Sequence, residues 1–307
     1  MRFLWLGFRI GGFWIGLIAF AAGMASCASA PPPSDGAEVV VSFSIWGSAA
    51  RDLVGDRLPV RVLAGPGADV HTYAPTPDDA KAVSRARLLV RHGLQLDNWM
   101  TSLKDSTGSK APMVEVSRGV PVRRGFGEDS HAVDPHLWQD PQRAVLCVSN
   151  LALALAAMDP LGASVYQSRF EAWRDRALSL HREIRERIQG VPASKRRVIT
   201  THDAFGYYGE AFGVEFLAPM GLSTEKEPSA QAVAQLVDQM KREKIRAVFL
   251  ETRIDPRLVT SLARDAGGFL GGELFPDTLS PPEGPAPDYF SMVRHNSDLL
   301  IAGMQGN

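Results

Sequence analysis

Seven histidines punctuate the 307-residue chain, at positions 71, 92, 131, 136, 181, 202 and 295. Three of them stand just beyond short β-rich runs. His71 follows "LPVRVL" (58–63) through the loop "AGPGADVHTYAPTPDD", and His136 follows "PMVEVS" (112–117) through a longer loop. His202 ends "RRVITTH" (196–202), and Asp277, in "FPDTLS", follows "GGELF" (271–275) in the same manner. In open α/β sheets, ligands bind beyond the carboxyl ends of strands, so these four side chains are candidates to converge. They are 65, 66 and 75 residues apart, so no local motif holds them and the fold must assemble them. Three imidazoles and one carboxylate suit a borderline divalent cation. A full set of four protein ligands leaves little room for an activated water, which favours carriage of a metal over catalysis, and no enzyme is expected. There is no His-Glu-x-x-His, Gly-x-Ser-x-Gly or Gly-x-Gly-x-x-Gly.

Other residues compete for or support these roles. A lone loop histidine is most often a surface residue. His92 also follows a strand, so position alone does not set it aside. His131, in the polar stretch "GEDSHAVD", is either an auxiliary contact or a solvated residue. His181 and His295 read as structural or exposed. Glu251 ends its strand where a cleft should lie and is the alternative carboxylate. The stretch "DPHLWQDP" (134–141) holds His136 between two Asp-Pro pairs. Asp140 is suited to cap a helix whose first turn contains Pro141. Asp134 or Asp140 would orient the imidazole from behind, and Trp138 would shield it. Pro75, Pro77, Pro135 and Pro141 stiffen these loops, so less entropy is lost in fixing the histidines.

The elements that must position these residues alternate between strand and helix. Besides the runs above, "EVVVSFS" (38–44), "RLLVRH" (87–92) and "RAVFLE" (246–251) predict buried strands, and the alternation predicts parallel α/β sheets. A helix from Pro141 directs Ala144, Val145, Val148, Leu151, Ala152 and Leu155 inward. Another follows "EPSAQ", with Val233, Leu236, Val237 and Met240 on one face. Over 163–189, Tyr166, Phe170, Trp173, Ala177, Leu180, Ile184 and Ile188 recur every three or four residues without Gly or Pro. At 1.5 Å per residue this helix spans roughly 40 Å, more than a small domain's width. It divides the strands into four before and three after. The expected architecture is an N-terminal α/β lobe (38–160), one long rigid connecting helix (161–190) and a C-terminal α/β lobe (191–307).

Residues 1–26 differ from the rest. Arg2 and Arg9 are the only charges, followed by "IGGFWIGLIAFAAGMAS", which reads as a secretory signal; an uncleaved membrane anchor is the rival. "MASC" (24–27) resembles a bacterial lipobox, which would make Cys27 the lipidated N-terminus. "ASAPPPSDGAE" after it reads as a Pro- and Ser-rich tether over 27–37. Cleavage removes two arginines and takes the formal charge from −1 to −3. Nothing basic enough for nucleic acid remains. Cys147, in an apolar run, is expected to be a small buried hydrophobe.

Taken together, "PGADVHTYAPTPDD", "GLQLDNWM", "DPHLWQDP", "THDAFGYYGEAFG", "STEKEPS" and "DYFSMVRHN" resemble the motif series of the metal-specific substrate-binding lipoproteins of ABC importers. These are the zinc- and manganese-uptake, ZnuA/TroA-like, proteins. The likeness runs in order from about residue 38 to the C-terminus, and six collinear motifs make it specific. The resemblance implies two lobes, a rigid connecting helix and one metal in the cleft, with ligands at His71, His136, His202 and Asp277. It also implies an extracytoplasmic protein, in the periplasm or at the cell surface, monomeric and lipid-anchored, whose partners are an ABC permease and its ATPase. Two departures stand out. The family often has Asn where His92 precedes the Gly of "GLQLDNWM", and many zinc members carry a long His-rich loop where this chain has "GFGEDSHAV". Three imidazoles favour zinc and place manganese second. The rival readings are a secreted metallohydrolase with Glu251 as general base, and a surface adhesion lipoprotein with a structural metal.

Overall fold

A computed structural model describes residues 38–125, 129–225, 228–252 and 254–307. Residues 1–37, on which the expected signal segment, the lipidated Cys27 and the tether fall, lie outside the described residues. The N-terminal lobe is built from β1 (Val39–Phe43), α1 (Ser44–Val54), β2 (Val60–Ala64), α2 (Pro77–Arg85), β3 (Leu88–Arg91), α3 (Asn98–Thr107), β4 (Met113–Glu115) and α4 (Pro141–Met158). The helix α5 (Ala163–Gln189) follows, and then β5 (Arg197–Ile199), α6 (Gly206–Phe212), β6 (Glu215–Leu217), α7 (Ala230–Glu243), β7 (Ala247–Glu251), α8 (Pro256–Ala266), β8 (Phe269–Leu274) and α9 (Tyr289–Gly306). The strands form two four-stranded sheets in the orders β2-β1-β3-β4 and β6-β5-β7-β8, with every pairing parallel. The two lobes therefore share one topology, although no repeat is visible in the sequence.

The expected count of three strands in the second lobe is corrected to four. The addition, β6, is the three-residue edge strand "EFL", defined by its pairing with β5. The run 196–202 is a regular strand only from Arg197 to Ile199; beyond it the backbone stays bonded to the β6 side, Thr200 N–H to Leu217 O and Met220 N–H to Thr201 O, and His202 bridges Met220 past the end of β5. β1 is buried at every position, as a central strand covered on both faces should be.

Local chemistry explains the helix starts. The Asp140 side chain accepts the Gln142 N–H and Pro141 occupies the first turn of α4. α2 opens on a capping box between Thr76 and Asp79. α4 buries Ala144, Cys147, Val148, Leu151, Ala152 and Leu155, so Cys147 is the small hydrophobe that its context suggests. The 27 residues of α5 bury Tyr166, Trp173, Ala177, Leu180, His181, Ile184 and Ile188 along one stripe. That stripe belongs to one hydrophobic cluster reaching from Val39, Trp46 and Leu151 in the first lobe to Val198, Phe249 and Leu300 in the second. α5 packs on α1 and α4 on one side and on α6 and α9 on the other. The lobes share a core across the connecting helix, and the cleft opens where the carboxyl ends of the two sheets face each other.

Candidate metal centre

The loop after β2 delivers His71. The Asp69 carboxylate accepts the His71 backbone N–H at 2.8 Å. Tyr73, two residues on, donates to Leu63 O at 2.9 Å and to Asp79 Oδ2 at 2.8 Å, which ties the far end of the loop to α2. His136 is held by Asp134, whose Oδ1 accepts the His136 backbone N–H at 2.9 Å and sits 2.8 Å from Nδ1. His202 is held by Glu251 at the end of the neighbouring strand β7. Glu251 Oε1 accepts the N–H groups of Thr201 (2.8 Å) and His202 (3.3 Å), and Oε2 lies 2.5 Å from His202 Nδ1. Asp277 follows β8 on a loop pinned to the first lobe. Trp138 and Gln139 both donate to Pro276 O, at 2.6 and 2.7 Å, and Ser44 accepts the Leu279 N–H at 3.0 Å.

With Nδ1 of His136 and of His202 engaged from behind, each ring turns Nε2 inward. His71, His136, His202 and Asp277 each present one donor atom, and all four atoms lie within 4.8 Å of one another. Nε2 of His202 and of His71 stand 3.1 and 3.6 Å from Asp277 Oδ2, and Nε2 of His136 is 3.4 Å from Oδ1. Adjacent donors around a tetrahedral metal with bonds of about 2.0–2.2 Å lie about 3.3–3.6 Å apart, close to the 3.1–3.6 Å between the histidines and Asp277. The three Nε2 atoms and Asp277 Oδ1 are buried without a well-aligned hydrogen bond. Buried polar atoms normally have partners, and four orphans facing one point are what a cation would satisfy.

Charge within the cluster is mutually adjusted. Burial disfavours a charged His202, but the carboxylates of Glu251 and Asp277 outweigh it and raise its pKa well above the ordinary 6.5. Burial likewise opposes ionisation of Asp277. The positive charges of His202 and His136 overcome that and hold its pKa well below 3.8.

The remaining sequence candidates fall into distinct places. Glu251 stands behind His202 rather than in the four-atom cluster, and Asp134 occupies the equivalent place behind His136. The proposed orienting role for Asp140 is corrected. Its oxygens go to the Gln142 N–H and to Arg143, and among the described residues it makes no hydrogen bond to His136. The Trp138 ring packs edge-on to His136 at 5.4 Å, and its N–H donates to Pro276 O in the Asp277 loop. His131 is exposed. His92 is fully buried under Trp138. Trp46 stacks on it and donates Nε1–H to its Nδ1 at 3.1 Å, and burial drives its pKa down to about 3. It is a neutral packing residue beneath the His136 loop. His181 is buried on α5 against Phe212, and His295 contacts Glu273 O at 2.9 Å. Sequence reasoning missed Tyr207, whose hydroxyl donates to Asp134 O at 2.8 Å across the lobes. Nothing in its spacing marks it.

Two inward-facing lobes on a shared long helix, with a donor cluster between them, define a cleft-type binding protein. The profile of the family described as "Zinc-uptake complex component A periplasmic" matches residues 39–303. The chain belongs to this ZnuA/TroA-like family, the metal-specific substrate-binding proteins of ABC importers. It is 30% identical over 294 residues to the iron-binding protein YfeA of Yersinia pestis, covering 94% of each chain. It is also 30% identical over 290 residues to the manganese-binding lipoprotein MntA of Halalkalibacterium halodurans, covering 94% of this chain and 95% of that one. The periplasmic zinc binding protein TroA of Treponema pallidum superposes with a TM-score of 0.82 at 28% identity, over 87% of this chain and 99% of the other.

Proposed function

We propose that this protein captures a divalent transition metal outside the cytoplasm, zinc first and manganese second, and hands it to an ABC permease driven by its ATPase. His71, His136, His202 and Asp277 bind the cargo. The observation that carries this reading is the set of four buried, unsatisfied donor atoms drawn two from each lobe. Three imidazole nitrogens favour zinc over a metal that prefers oxygen. Manganese stands second because Asp277 faces the cluster with both oxygens, Oδ1 toward His136 and Oδ2 toward His71 and His202. Relatives named for zinc, manganese and iron support a shared scaffold with tuned selectivity. Glu251 bonds His202 from behind, which supports carriage over the hydrolase reading.

Metal analysis of protein purified without added metal, beside growth of a deletion strain on limiting zinc or manganese, tests the choice of cargo. Recovery of neither metal would remove the reading. Binding should also stabilise the fold. At one hundred times Kd, mass action adds about 2.7 kcal/mol, and for a chain of this size that corresponds to a rise of about 4–5 °C in Tm. A melting curve unmoved by zinc and by manganese would count directly against the site.

The protein is further proposed to act as a monomer held at the membrane by lipid on Cys27, motivated by the small residues before that cysteine and the Pro-rich segment after it. Mass spectrometry of the mature N-terminal peptide should find a diacylglyceryl-modified Cys27. A mature chain retaining Met1 to Ser26 would overturn this.

A further inference from the structure

Behind the His136 side of the cluster, a second set of contacts crosses between the lobes. Asp134 uses Oδ1 for His136 and Oδ2 for Arg123, whose Nη1 donates to it at 2.7 Å. Arg123 is nine-tenths buried, and its Nε donates to Glu210 Oε1 of α6 at 3.1 Å. Its backbone N–H donates to the Tyr207 hydroxyl at 3.0 Å, and that hydroxyl donates in turn to Asp134 O at 2.8 Å. The other Glu210 oxygen accepts from Arg143 of α4 at 3.0 Å. Gly206 opens α6 against this guanidinium; a Cβ there would collide with Arg123 and meet Asp134 Oδ2. α6 begins four residues after His202, so the element gripped by Arg123 is the one that follows the second lobe's histidine.

We propose that Arg123 is a positioning residue for metal binding: it fixes the Asp134 carboxylate that aims His136, and is itself held from the opposite lobe by Glu210. The planar fork of arginine is suited to this because it engages two carboxylates in fixed directions at once. His136 then depends on the approach of α6, and the spacing between His136 and His202 is set from behind as well as by the metal. The inference rests on the four-residue cluster being the metal site.

Cobalt(II), a spectroscopic stand-in for zinc, provides the test, since its visible bands report coordination geometry. The full-length protein, Arg123→Gln and Glu210→Gln are titrated with cobalt. Wild-type protein should develop intense tetrahedral-type bands; if it develops none, the site reading itself fails, whatever the variants do. Arg123→Gln is expected to weaken binding about 10-fold or more and to displace or broaden the bands. Glu210→Gln, at a half-exposed side chain, should produce a smaller change in the same direction. Wild-type affinity and spectrum in a natively folded Arg123→Gln would overturn the proposal. Should Arg123→Gln not fold, an unchanged Glu210→Gln spectrum would overturn it equally.

Discussion

His136→Ala should lose more than about 100-fold in zinc affinity, because even groups one shell behind a ligand are worth 10- to 100-fold. His131→Ala, five residues upstream, should bind as the wild type does. The contrast follows from placement. His136 is fully buried with Nε2 aimed into the cluster, whereas His131 is exposed at the loop surface. The fold should survive His136→Ala. Asp134 keeps Arg123 and the backbone N–H of residue 136, and the α4 cap at Asp140 is untouched. Isothermal titration of the two variants, with circular dichroism as the folding control, decides the matter. Equal losses, or a loss confined to His131→Ala, would make "DPHLWQDP" no more than a helix-starting turn.

Glu251→Gln carries the second large effect, and it depends on pH. The raised pKa of His202 means that the metal-free protein holds a proton there at pH values above 6.5. A metal must displace that proton, since only neutral imidazole binds. Affinity should therefore begin to fall, as pH is lowered, from well above the ordinary histidine range, and binding at neutral pH should release the proton held on His202. Calorimetry in two buffers of different ionisation enthalpy counts it. Removing the Glu251 charge lowers the His202 pKa toward its unperturbed value of about 6.5 and weakens the imidazole as a donor. At alkaline pH, where protons no longer compete, Glu251→Gln should bind about 10- to 100-fold more weakly. Its fall in affinity should begin at lower pH than in the wild type. Coincident pH profiles for the two proteins would show that Glu251 does not act through His202.

The strands, the long helix and the order of the site loops were legible because each rests on a local signal. β1 is a continuous apolar run, α5 an uninterrupted stripe, and Asp140-Pro141 a cap with its first turn. β6 was not legible, because "EFL" after Gly213 has neither length nor alternation and is a strand only through its pairing with β5. β8 starts at Phe269, two residues before the expected run "GGELF", which already took in Gly271 and Gly272, the latter at φ +118°. For the site, strand-end position singled out His71, His136, His202 and Asp277 but left His92 open. What separates His92 is the Trp46 indole against its ring, a contact between residues 46 positions apart. The same limit applies to Glu251. Its place at a strand end was visible, but whether it faced the cluster or the back of a histidine depends on the order of β5 and β7.

The hydrophobic cluster that runs through α5 from one sheet to the other bears on how the molecule comes apart. Two lobes with separate cores would melt as separate cooperative units, and a metal between them would act only on their docking. Here Trp173, Leu180 and Ile184 belong to a core shared by both halves, although each half keeps a smaller cluster of its own on the outer face of its sheet, around Leu89 in the first and Val248 in the second. A cation taken up at the cleft would be linked thermodynamically to that shared core, and so to packing in both halves at once.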